Sequence, residues 1–127
     1  MYYTSREIKA PFDKAVEMIT EAVGKEGFGI LSDIDVQATL KKKLDVDRKK
    51  YRILGACNPP NAHKALSVEP YIGLMLPCNV VVQEVDDNTT DIAVIDPVAS
   101  MQAVDNDDLK VIAADIRDRL KKALNTL

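Results

Sequence analysis

The sequence predicts an α+β fold, an antiparallel sheet packed against helices on one face, and three observations carry that prediction. Apolar residues recur at helical spacing near both ends of the chain, β-branched runs separated by turn residues fill the middle, and the segments between those runs are too short for anything but brief helices. At 127 residues the chain fits a single domain spanning 1–127, long enough to bury one core without disulfides or metals. Hydrophobic residues make up 46% of it and charged ones 29%; with four Tyr, two Phe and no Trp, the core is expected to be aliphatic.

Taken in order, Tyr3 to Ile8 carries strand formers with poor alternation. Pro11 then opens a helix whose buried stripe is Phe12, Ala15, Val16, Ile19, Ala22 and Val23, with Gly24 or Gly27 as its terminator. Phe28 to Ile34 reads as a strand, and Asp35 as the N-cap of a short helix with Val36, Leu40 and Leu44 at intervals of four. Tyr51 to Ala56 is the next strand. Asn58 as N-cap and Pro59 as first helical residue predict a short helix to Leu66, stopped by Pro70. Leu74 to Glu84 is nearly continuous apolar sequence interrupted by Pro77-Cys78-Asn79, which suggests a bulge or an edge position. Asp86 to Thr89 supplies a turn, Thr90 to Ile95 returns as the hairpin partner, and Asp96-Pro97 ends it. In the last segment Asp105, Asp107 and Asp108 precede Arg117, Arg119, Lys121 and Lys122, the polarity a helix dipole favours, around a stripe of Leu109, Ile112, Ala113, Ile116, Leu120 and Leu124.

Charge narrows the partners. The formal net charge of −3 argues against a nucleic-acid surface, since phosphate binding draws on clustered Lys and Arg. Lys41 to Lys50 does hold six basic residues against two acidic ones, but a charge run is ordinarily a solvated face. No stretch suits a bilayer span, and Met1-Tyr2-Tyr3-Thr4 lacks a basic segment followed by an apolar run, so a cytoplasmic protein with no membrane partner is expected, its two cysteines reduced.

The chemistry-bearing residues cluster around two Cys-Asn pairs. In GACNPPNAH, Cys57 falls where a strand meets a helix, a position that lowers a thiol's pKa, and the sole histidine, His63, lies six residues on, within reach of acting as its base. A buried apolar Cys57 and a solvent-facing His63 are the plainer alternative. Adding Cys78 gives a Cys, His, Cys set that zinc would accept, although the cysteines stand twenty-one apart and no C-x-x-C occurs. Asn58 and Asn79 serve as caps or as hydrogen-bonding groups for a ligand, and Asp96 either orients a ligand group or starts a turn. Glycine-rich phosphate loops and a G-x-S-x-G elbow are missing.

The order GACNPPNAHKAL, LMLPCNVVV and VIDPVAS, with the GFGIL strand and the DVQATLKKKL helix, resembles the bacterial and archaeal family known as domain of unknown function 302 over essentially the whole chain. The resemblance implies a fold like that of the TATA-box-binding-protein group, a curved antiparallel sheet on helices in the order β-α-β(4)-α with short inserted helices, and a tendency to form homodimers. DNA binding does not travel with a shared fold. The family implies no activity and no catalytic residue; its signature positions fall here on Cys57, Asn58, Pro59, Asp96 and Pro97. Its LP segment carries varied residues after the proline, which weighs against a three-ligand metal set.

Together these features point to a small cytoplasmic binding or accessory domain, dimeric, with a polar pocket for a small molecule where Cys57, Asn58, His63, Cys78, Asn79 and Asp96 gather. The competing readings are a thiol-dependent enzyme or redox carrier built on Cys57 and His63, a zinc protein using Cys57, His63 and Cys78, and an interaction module whose Cys-Asn motifs only build turns. Nothing in the pattern names a cofactor.

Overall fold

Strand β1 (Tyr3–Ile8) passes through Lys9 and Ala10 into α1 (Phe12–Lys25) in the computed structural model, which describes all 127 residues. Pro11 stands one place earlier than expected, as the extended N-cap, and its carbonyl accepts the Ala15 amide hydrogen bond at 2.9 Å. The helix ends at Lys25, and the glycine that terminates it is Gly27, not Gly24. Gly27 has φ +87°, and around it the Phe28 amide donates to the Val23 carbonyl at 3.0 Å and the Gly27 amide to the Gly24 carbonyl at 3.1 Å. Such a closure requires a left-handed residue just past the helix, a conformation that costs glycine nothing.

The chain continues through β2 (Gly29–Asp35), α2 (Val36–Leu44), β3 (Tyr51–Cys57), α3 (Pro59–Val68), a 3-10 helix (Pro70–Met75), β4 (Cys78–Asp86), β5 (Thr89–Ile95), α4 (Pro97–Ser100) and α5 (Asp107–Asn125). The five strands form one open antiparallel sheet in the order β1-β5-β4-β3-β2. Strands β2 to β5 thus run as a meander, and β1 closes the far edge beside β5. Leu54, Val80, Val82, Ile92 and Val94 point to one face, where they bury against Ile19 and Val23 of α1 and Ile116, Leu120 and Leu124 of α5. A smaller cluster, Ala65, Ile72, Met101, Leu109 and Ala113, joins α3, the 3-10 helix and the start of α5. On the other face the pairing aligns Ser5, Ala93, Val81, Ile53 and Ile34 in one row across all five strands, and Ile34 remains 50% exposed.

Four local expectations change. The apolar run from Leu74 does not begin a strand: residues 70–75 coil into the 3-10 helix, Leu74 is 87% exposed, and β4 starts at Cys78 after a cis Leu76–Pro77 bond. Prolines at 70 and 77 bracket that connection, and a proline in a strand would leave a ladder hydrogen bond unmade. Strand β4 is central, with its bulge between Glu84 and Asp86. Helix α2 forms with Asp35 as its cap, the carboxylate accepting the Ala38 amide at 2.9 Å, yet none of its residues is buried. Lastly, Asp96, expected either to orient a ligand group or to start a turn, caps the single-turn helix α4.

A candidate ligand hollow at the end of the sheet

Gly55 shows why the first Cys-Asn motif is spelled as it is. A Cβ at this position would lie 2.2 Å from Ser32 Oγ and 2.6 Å from Pro77 Cγ, so the β2 bulge and the β4 entry both close over bare backbone. Ala56, directly paired with Cys78, turns into the core, and Cys57, paired with Gly29, ends the strand. Asn58 then caps α3, its Oδ1 accepting the Asn61 amide at 3.2 Å while its Nδ2 donates to the Glu26 carbonyl at 3.4 Å. One asparagine therefore starts a helix and ties it to the end of α1.

The β3-to-α3 junction and the 3-10-to-β4 junction flank a solvent-open hollow of about 300 Å³. Cys57, Asn58 and Cys78 line it, together with Phe28 and Ile116 from the core side and Leu31 and Leu66 at the rim. Cys78 is buried and Cys57 half-buried, and both are free thiols. Burial, and secondarily the neighbouring Cys57 sulfur, pushes the Cys78 thiol up to about 11, because low-dielectric surroundings disfavour the thiolate. Three of the six residues foreseen as a site come together here.

The other three do not. Helix α3 buries Asn61 and Ala65, four residues apart, and His63 falls on the exposed side of the same turn. Asp96 spends its Oδ1 on the Val98 amide at 2.9 Å and the Ala99 amide at 3.4 Å, and it lines a separate depression of about 530 Å³ with Gln102 and Lys110. Asn79 is exposed on the opposite face of the sheet, in a depression shared with Tyr3 and Tyr51. The polar pocket expected from Cys57, His63 and Asp96 is thus not assembled, and no three His, Cys, Asp or Glu side chains gather as metal ligands. The physical reason is helical phase: the residue that follows the cap by five positions points away from the strand end that the cap holds.

A polar network behind the hollow escaped the sequence reading. Asn61 Nδ2 donates to Asp115 Oδ2 at 2.8 Å, Arg119 Nε donates to the same oxygen at 3.0 Å, and Arg119 also donates to the Glu26 carbonyl at 3.2 Å. The Asn61 amide first, and then Arg119, hold the Asp115 carboxyl below the usual carboxylate value. The carboxylate–guanidinium spacing of four along α5 was visible as a helix pair; the Asn61 partner, 54 residues away, was not.

The sequence profile of the family described as "Domain of unknown function DUF302" matches residues 4–127. The chain belongs to the DUF302 family. An uncharacterized conserved DUF302 protein from Bacillus stearothermophilus, solved by crystallography, is 31% identical and superposes with a TM-score of 0.90 over 98% of this chain and 97% of its own. No curated protein matches. The DUF302 relationship supports the α+β architecture along essentially the whole chain.

Proposed function

We propose that this DUF302 chain is a binding or accessory domain whose ligand occupies the hollow between the β3–α3 and 3-10–β4 junctions, and that it acts as a homodimer. One observation carries the ligand reading: two segments 21 residues apart bring a half-buried thiol, a buried thiol and a helix cap to the same concavity. Hollows of this kind, largely apolar and few per molecule, are the usual seats of small ligands. The test is native mass spectrometry of protein purified gently from cells, comparing the wild type with Ala62→Phe, which fills the hollow from α3. A copurifying small molecule carried by the wild type and lost from the variant is expected; identical spectra would remove the hollow as the ligand site.

The dimer reading is supported by the sheet face that carries Ile53, Val81 and Ala93 in one row and leaves Ile34 half-exposed. A second copy laid on that row would cover it. Free thiols in both cysteines fit a cytoplasmic setting, and no helix is long and apolar enough to cross a membrane.

A second reading rests on Cys57 itself, half-exposed at the hollow's lip. A nucleophilic or redox role for it needs a base other than His63, which faces outward. Alkylation rates measured across pH decide this: a midpoint well below the ordinary thiol value of about 8.5 favours thiol chemistry, and an ordinary midpoint rejects it.

A further inference from the structure

Resting on the hollow as the ligand site, we infer that its ligand is an uncharged, apolar small molecule or the hydrocarbon part of a larger one. The lining contains no Asp, Glu, Lys, Arg or His. Asn58 is its one amide side chain, and both polar atoms of that side chain already serve the fold, the oxygen on the Asn61 amide and the nitrogen on the Glu26 carbonyl. No buried side-chain nitrogen or oxygen anywhere in the chain lacks a hydrogen-bond partner. A charged or strongly polar ligand entering here would give up part of its hydration and find only weakly bonding sulfur among the uncommitted side-chain atoms.

Size and access agree with that chemistry. The volume of about 300 Å³ is roughly twice that of the engineered apolar cavity of about 150 Å³ that takes up benzene, so a ligand of two fused rings or a short alkyl chain fits. The rim is apolar as well: Leu31 is 71% exposed and Leu66 44%. Large exposed aliphatic side chains gathered around a concavity form a patch that a soluble surface ordinarily avoids and that a hydrocarbon ligand would cover. A protein partner fits less well, because a stable interface takes roughly 1,000 Å² or more and this concavity is drawn from only 12 residues.

The experiment compares two probes that share one aromatic skeleton, N-phenyl-1-naphthylamine, which is neutral, and 1-anilinonaphthalene-8-sulfonate, which is anionic. The neutral probe should bind saturably, one per chain, at least about tenfold tighter than the sulfonate, and should slow alkylation of Cys57. Ala62→Phe and the rim variant Leu66→Trp, each checked for an unchanged melting temperature, should both weaken it by about tenfold. Leu66 is on the exposed edge of α3, so its variant folds even where Ala62→Phe does not. If the sulfonate binds as tightly and both variants abolish it, the apolar-ligand inference falls while the hollow survives. If neither folded variant changes binding of either probe, the hollow itself falls.

Discussion

Gly55 has the tightest surroundings of the chain's five glycines, since Ser32 and Pro77 sit where its side chain would be. Gly55→Ala is expected to lower stability by about 1–3 kcal/mol, the usual cost of forcing atoms into an already packed site, as measured by urea unfolding. Cys78 makes a different residue-scale prediction. Its thiol is raised from 9.0 to about 11 by burial, so the folded state holds that proton where the unfolded chain releases it. The stabilisation from burying a neutral thiol is therefore fully present below pH 9 and is lost as pH climbs toward 11. Denaturant midpoints of wild type should fall more steeply than those of Cys78→Val over that window; parallel curves would contradict it. At pH 8 a small alkylating reagent should label Cys57 and leave Cys78 untouched until the protein is unfolded.

Among the elements, α3 owes its start and its seating to Asn58. Asn58→Ala should cost about 1–2 kcal/mol, because the cap is lost and the Glu26 carbonyl loses a donor. Asn58→Asp keeps the capping oxygen but turns a second one toward that carbonyl, so thermal melting should place it between the wild type and the alanine variant. Helix α5 is capped alike, Asn106 Oδ1 accepting the Leu109 amide at 3.1 Å while its Nδ2 donates to the Val68 carbonyl at 2.9 Å, so a single side chain again joins two helices. Helix α2 contrasts with both. Its Lys41 pairs with Asp45 at 2.9 Å and Asp47 at 3.0 Å, and the lysine run is exposed.

For the molecule as a whole, the sheet is covered by α1 and α5 on one side and presents the Ser5–Ala93–Val81–Ile53–Ile34 row on the other. If a second copy covers that row, sedimentation equilibrium gives twice the chain mass, and Val81→Glu shifts it to the monomer by placing a charge in the middle of the contact. A wild-type monomer at high concentration would end the dimer reading. The hollow is at the end of the sheet, next to α3 and the 3-10 helix, and Val81 does not line it, so the same variant should leave neutral-probe binding unchanged.

Element types, their order and most boundaries were legible because each depends on local chemistry: Asn58 and Asp35 announce their helices by capping, Asp86 to Thr89 announces a hairpin, and the stripe on α5 repeats every three to four residues. The candidate site was only half legible. Neighbours in sequence, Cys57 and Asn58, reached it together, and Cys78 arrived through strand pairing. By itself the sequence determined most of the secondary structure and the α+β class, since propensity, capping and periodicity act within a few residues, but not the 3-10 helix at 70–75 or the single turn of α4. Only the tertiary structure decided that His63 and Asp96 stay apart from the thiols, that α2 lies outside the core and that the hollow is apolar, because helical phase and long-range packing, neither written in any short stretch, set where each side chain points.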